Sequence, residues 1–266
     1  MTAPALSIRD LSVAVRGLTA EQEVVRQVSF ELWPGETLAL VGESGCGKTK
    51  TAEAILRLLP SDRFSIRSAS IRLGDRAIHE LPEAGMRRIR GREISMVFQD
   101  PSTALDPVFT VGNQLAAIFR RHRGLGRAEA GRAAQNMLRR VGLADGAHIM
   151  SCYPHELSGG MQQRVMIGLA MACEPQVLLA DEPTTALDVT TQAQVLDSLT
   201  GLGRETGTAI LLITHDLGLV AQYCDRALVM FEGEIVEEAT VRSLFQRPRH
   251  PHTRGLLAAS RQGRQG

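Results

Sequence analysis

With 266 residues, 44% of them hydrophobic and 22% charged, the chain has the composition of a soluble globular protein that can bury a sizeable core. A formal net charge of +1 gives no global reason to bind nucleic acid or an acidic membrane surface. The four cysteines, Cys46, Cys152, Cys173 and Cys224, form no C-x-x-C pair, and no run approaches the roughly 18 apolar residues that span a bilayer. Neither a disulfide framework nor a structural zinc site is indicated, a reducing cytosolic location is expected, and any membrane role has to pass through partners.

In chain order, "LSIRDLSVAV" (residues 6–15) and "VVRQVSFEL" (24–32) alternate as strands around a polar turn. "PGE" turns the chain into "TLALVG" (37–42), a short apolar run that suits a buried central strand. From Lys48 the apolar spacing predicts a helix that runs to Pro60. The arginine run "MRRIRGRE" (86–93) has no interleaved aromatic residue and is expected to be a solvated loop between strands, not a nucleic-acid contact. Residues 110–173 turn helical and polar in "NQLAAIFRRH", "RAEAGRAAQNMLRRVGL" and "MQQRVMIGLAMAC". Strand patterns return at "QVLLADE" (176–182), "AILLITH" (209–215) and "RALVMFEGEIVEE" (226–238), with a helix near 191–203 and a mobile tail, "SRQGRQG", at the end.

Lysine occurs only at Lys48 and Lys50, although lysine and arginine together number 30. Both sit in "GESGCGKTK", where Gly42, Glu43, Ser44, Gly45, Cys46, Gly47, Lys48 and Thr49 fit G-x-x-x-x-G-K-[ST] between an apolar strand and a helix. Glycines let successive backbone N–H groups turn inward around a phosphate, and the helix N-terminus adds partial positive charge. Lys48 is the compact cation for the terminal phosphates, a role that a planar guanidinium does not imitate. Thr49 places a hydroxyl on Mg²⁺. Lys50 either projects into solvent or adds charge near the phosphates, and Cys46 fills space.

"QVLLADE" delivers two carboxylates to the C-terminal edge of a strand, where open parallel sheets bind ligands. Asp181 is placed to hold Mg²⁺, and Glu182 to orient and deprotonate a water.

"LSGGMQQR" (157–164), standing between the glycine loop and the acidic strand, resembles the signature of ATP-binding cassette proteins, and the resemblance covers nearly the whole chain. It implies a P-loop, RecA-like α/β core (about 1–104 and 174–240) with an N-terminal antiparallel β portion, an inserted helical subdomain (about 105–173) and a C-terminal tail (241–266), all within one cassette domain. It further implies that Leu157, Ser158, Gly159, Gly160 and Met161 face the γ-phosphate of an ATP held by a second, related cassette or a second copy of this chain. Physically, Ser158 caps a helix while Gly159 and Gly160 expose N–H groups. By the same resemblance Gln99 in "VFQDP" senses Mg²⁺ and γ-phosphate, His215 in "LLITHD" is the switch histidine, and Asp188 in "TTALD" contacts the partner cassette. Val15 stands where the family usually has an aromatic residue that stacks on adenine; two alternatives follow, that Arg16 next to it stacks through its flat guanidinium or that base binding is weak and unselective.

"PHELSGGMQQRVMIGLAMACEP", "LLADEPTTALDVTTQAQ" and "LFQRPRHPHTRGLL" resemble the peptide and nickel importer branch, and "GGM" and "EPTTALD" its first cassette. The implied protein is a Mg²⁺-ATPase, peripheral on the cytoplasmic face of the inner membrane. It would drive two transmembrane permease subunits fed by an extracytoplasmic solute-binding protein. A chain that stops at Gly266 without the cysteine-containing extension of many peptide-type members leans slightly toward nickel or a metal chelate as cargo. His250 and His252 lack a third ligand nearby and are not assigned to a metal. Two other readings stand beside transport: a soluble cassette ATPase that remodels nucleic acid or ribosomes, and a cassette that binds nucleotide only to regulate assembly.

Overall fold

The computed structural model describes residues 3–17, 21–68, 70–185 and 187–262. Part of the turn expected after the first strand, Ala186 of "TTALD" and residues 263–266 lie outside the described residues. The chain divides into two units, residues 1–88 with 209–266, and residues 89–208.

The elements run β1 (Leu6–Arg16), β2 (Glu21–Leu32), β3 (Thr37–Val41), α1 (Lys48–Ile55), β4 (Phe64–Arg67), β5 (Ser70–Leu73), β6 (Arg76–Ala77) and α2 (Glu83–Ile89). Next come β7 (Ile94–Val97), α3 (Pro101–Ala104), α4 (Val111–Arg123), α5 (Arg127–Arg140), α6 (Gly146–Ser151), α7 (Gly159–Met171), β8 (Val177–Asp181) and α8 (Val189–Thr206). The chain closes with β9 (Ala209–Thr214), α9 (Leu217–Tyr223), β10 (Arg226–Phe231), β11 (Glu234–Thr240), α10 (Val241–Gln246) and α11 (Pro251–Gln262).

In the first unit an antiparallel sheet takes the order β2-β1-β5-β6, with β4 also pairing β1. Its inner face is apolar: Leu6, Ile8, Leu11 and Val13 are fully buried. Asp10 (φ 50°) and Gln27 (φ 46°) mark a bulge that shifts the β1–β2 register between Ile8 and Leu11 and adds twist. A second set runs β11-β10-β3-β9. There β3 is parallel to both β10 and β9, which is why "TLALV" is buried throughout and apolar after Thr37. The single run "RALVMFEGEIVEE" is two strands, because Glu232 (φ 46°) and Gly233 (φ 88°) form the left-handed two-residue turn that joins right-twisted hairpins. Helices α9, α10 and α11 bury Leu217, Val220, Leu244 and Leu257 against Ala39, Val41 and Val229.

Three expectations are corrected. Helix α1 stops at Ile55, well before Pro60, because Arg57 turns left-handed (φ 53°). The N–H of Arg57 then bonds Ala54 O, that of Leu58 bonds Glu53 O, and the guanidinium reaches the Leu81 carbonyl. The arginine run beginning at Met86 is not all loop: α2 covers Met86–Ile89 and buries Met86 and Ile89 one turn apart. The tail is helical through Gln262, so Ser260, Arg261 and Gln262 continue α11.

In the second unit β7 and β8 pair in parallel, Ile94 opposite Val177 and Val97 opposite Ala180. Helix α4 starts at Thr110, whose hydroxyl accepts from the Asn113 N–H, and ends at Gly124 (φ 67°). Its apolar stripe buries Val111, Leu115 and Phe119, and α5 answers with Ala130, Ala134 and Leu138. Helix α7 is apolar on most of its surface and buries Val165, Ile167 and Met171.

Candidate active site

In the first unit Val41 pairs with Thr214, so Gly42 and His215 leave the parallel strands β3 and β9 side by side at their C-terminal edge. His215 is exposed there. The loop from Gly42 to Gly47 is tightly fitted: a Cβ on Gly42 would lie 2.3 Å from the Met230 carbonyl oxygen and 2.7 Å from Cys46 Sγ. The Gly233 N–H at the β10–β11 turn donates to the Cys46 carbonyl at 3.1 Å, tying the loop from outside. Gly47 takes φ 111°, a conformation that L side chains rarely adopt, and starts α1 without any side-chain cap. With no acidic residue in its first turn, α1 offers uncapped N–H groups to an anion.

Lys48 is 6% exposed, and its Nζ donates to the carbonyls of Gly42 (2.9 Å) and Glu43 (2.8 Å). The ammonium thus lies across the loop it is expected to serve. Glu43, Ser44 and Gly45 are exposed, and Thr49 and Lys50 are half-buried. Lys50 is turned aside, its Nζ 2.6 Å from Glu53 Oε2 and 5.2 Å from the ring centre of Phe64. Burial pushes the Cys46 thiol above its ordinary value, only partly offset by Lys48, which suits a space-filling role.

In the second unit the parallel pairing of β7 with β8 brings Gln99 and the acidic pair to one edge. Asp181 is 3% exposed at the end of β8. Glu182 follows in a left-handed conformation (φ 43°), a strained backbone for a long side chain. Its Oε2 accepts from the Gln99 amide at 3.3 Å and from the Thr185 hydroxyl at 2.8 Å, so the carboxylate is aimed by two donors.

Ser158 caps α7, accepting from the Met161 N–H at 3.4 Å, while Leu157 is buried and Gly159 exposed. Asp188 caps α8, and the Thr191 N–H that it accepts holds its carboxyl below the usual range. The two helix starts touch: a Cβ on Gly160 would lie 2.4 Å from Thr191 Cγ2. Gly160 is thereby needed for close approach as well as for an open backbone.

Several of these residues escape a reading of the sequence. Thr185 orients Glu182 yet looks like turn filler. Gln162 Nε2 donates to the carbonyls of Pro154 (2.8 Å) and Leu157 (3.2 Å), and Gln192 Nε2 to those of Thr184 (3.3 Å) and Leu187 (3.0 Å). Each glutamine stands four residues after a cap, Ser158 or Asp188, and ties down the loop before its helix. That shared spacing, "LSGGMQ" against "LDVTTQ", is the signal that could have found them.

The sequence profile described as ABC transporter matches residues 25–185. A probable peptide ABC transporter ATP-binding protein of Sinorhizobium fredii is 49% identical over 263 residues, covering 98% of this chain and 78% of that protein. The dipeptide transport ATP-binding protein DppD of Bacillus subtilis is 45% identical over 254 residues, covering 96% of this chain and 76% of its own length. Among solved structures, a dimeric ATP-binding cassette in a post-hydrolysis state with ADP and Pi superposes with TM-score 0.79 at 25% identity, covering 89% of this chain and 99% of that one. Neither the remodelling ATPase nor the binding-only cassette finds support in these relatives. The α/β core, the phosphate loop and these likenesses agree: the chain belongs to the ABC transporter family, as one of its ATP-binding, ATP-hydrolysing cassettes.

Proposed function

We propose that this cassette energises the import of peptides, hydrolysing Mg²⁺-ATP between its own phosphate loop and the signature of a second cassette. The observation that carries the reading is the aimed carboxylate: Glu182 is held by Gln99 and Thr185 at the end of β8, as a general base for water requires. Lys48 and the N–H groups of Gly42–Thr49 bind the phosphates, with Lys48 exchanging its loop carbonyls for phosphate oxygens. The Thr49 hydroxyl in the first unit and the buried Asp181 carboxylate in the second are each oxygen groups of the kind that a hard divalent cation takes, and Mg²⁺ would neutralise charge on the phosphates. Glu182 takes the proton of the attacking water, Gln99 orients that carboxylate, and His215 donates to the γ-phosphate. Leu157–Met161 and Asp188 meet the second cassette, and residues 1–266 act as one cassette domain with the helical subdomain at about 105–173.

The permease contact is assigned to the second unit. A cavity of about 630 Å³ is lined by Phe98, Phe109, Asn113, Ala117, Ile118 and Met166, with Phe98, Val108 and Phe109 exposed by 40%, 70% and 53%. An apolar opening of this kind is a docking site for a partner segment. Among the described residues no helix is long and apolar enough to cross a membrane. Peptide is preferred to nickel because the relatives are named for peptide and dipeptide transport. The test is uptake of a labelled dipeptide and of radioactive nickel in cells lacking the chain, restored with wild type or Lys48→Ala. Peptide uptake restored by wild type alone supports the proposal; loss confined to nickel moves the cargo, and loss of neither removes the transport role.

A further inference from the structure

Near the end of β1, Val15 pairs across one side with Gln22 on β2 and across the other with Phe64 on β4. Residues directly opposite in an antiparallel pair project from the same face of the sheet, so the Phe64 ring stands beside the Val15 side chain. Both are half-buried. The same ring is reached by Lys50, whose ammonium lies 5.2 Å from its centre. Lys50 belongs to the first turn of α1, two residues after Lys48, so Phe64 lies within one side chain of the helix start that offers N–H groups to phosphate. Of the other rings of the first unit, Phe30 and Tyr223 are buried, Phe231 lies against His252 at 4.1 Å and Phe245 packs against the core beneath α9 and α10, while Trp33 follows Leu32, which pairs with Leu6 at the opposite end of β1 from Val15. Arg16, the alternative flat group, is engaged by Glu21, its Nε 3.7 Å from Oε1.

We infer that the nucleotide base stacks on Phe64, and that this ring, set beside Val15 on the neighbouring strand, is the base platform of the site. The inference rests on the reading of Gly42–Thr49 as the phosphate-binding loop. The ammonium of Lys50 covers the ring in the absence of a base and is already held 2.6 Å from Glu53. A stacked base displaces it from the ring while Glu53 keeps its charge paired. The platform carries a π-face without a hydrogen-bonding edge, so it favours bases over bare phosphate and discriminates weakly among them.

The experiment measures dissociation constants of the full chain for ATP and for inorganic tripolyphosphate, in wild type, Phe64→Leu and Phe64→Trp. Leucine keeps apolar bulk and loses the π-face. Phe64→Leu is expected to bind ATP about tenfold more weakly with tripolyphosphate unchanged. Phe64→Trp is expected to retain ATP affinity and to show indole emission quenched by ATP beyond the response of Trp33 in wild type. Equal weakening toward both ligands in Phe64→Leu, or unchanged ATP affinity, overturns the platform. Failure of the underlying reading is separately visible, because Lys48→Ala would then leave the tripolyphosphate affinity of wild type intact.

Discussion

The two strand edges of this cassette carry opposite chemistry. At the edge of β3 and β9 the groups are donors: uncapped N–H groups of α1, the Lys48 ammonium and the exposed His215. At the edge of β7 and β8 they are acceptors and their orienters: Asp181, and Glu182 held by Gln99 and Thr185. Donors stabilise an anion whether or not it reacts, whereas a carboxylate repels phosphates and can serve only the attacking water or the metal. On the proposed roles, binding belongs to the first edge and turnover to the second.

Variants at each edge sharpen that division. Glu182→Gln removes the proposed base and keeps a similar shape, so ATP hydrolysis is expected to fall by about 10²–10⁴-fold with ATP affinity unchanged. Lys48→Ala should act on both, weakening ATP binding and lowering kcat/KM by about 10²–10³-fold. Steady-state hydrolysis together with equilibrium titration of a fluorescent ATP checks the pair. If Glu182→Gln lost affinity as Lys48→Ala does, the division between the edges would fail.

What the sequence made legible follows the same contrast. The phosphate loop is contiguous, and its strand, glycines and lysine announce one another by spacing, so Gly42–Lys48 could be placed before any coordinates. The acidic strand was legible for the same reason. The contacts that set their geometry come from far along the chain: Met230 against Gly42, Gly233 on Cys46, and Gln99 on Glu182. No local pattern encodes them. The short strands β4 to β7 were missed because four residues or fewer are too short for a period to show, and β7 is a continuous buried run without alternation. The end of α1 was misplaced because Arg57, not Pro60, stops it, through a left-handed turn fastened to Leu81.

A second comparison separates the two glycine-started helices. Helix α1 begins at a glycine without a cap, while α7 begins beneath the Ser158 hydroxyl and against Thr191. The α7 start is therefore built to keep its shape before any phosphate arrives. Gly160→Ala forces a methyl into Thr191 and is expected to cost about 1–3 kcal/mol of stability. Removing the clashing methyl with Thr191→Ser on the same chain should restore most of it. Thermal unfolding of the single and double variants reads both effects, and a double variant no more stable than Gly160→Ala would show that the contact is not what α7 needs.

The smallest expected effect lies behind the loop, where Glu237 on β11 accepts the N–H groups of Arg249 (2.9 Å) and His250 (2.9 Å) and fixes the entry to α11. Burial alone would raise this carboxyl, but the Thr253 side chain, then those two hydrogen bonds and the charge of Arg249, carry it below its ordinary value of 4.5. A carboxyl lowered in the folded state is more readily ionised there than in the unfolded chain. Its contribution is therefore fully present above pH 4.5 and is lost as the pH falls through the lowered folded value. Glu237→Gln keeps one acceptor oxygen and loses the charge, so it should unfold at a lower temperature than wild type near neutrality, and the gap should close on acidification below pH 4.5. The first edge should be untouched at neutral pH, with ATP affinity within about twofold of wild type, since Glu237 bonds the entry to α11 and not the loop. A gap that stayed constant from neutral to acid pH would mean that Glu237 acts by packing and not by its charge.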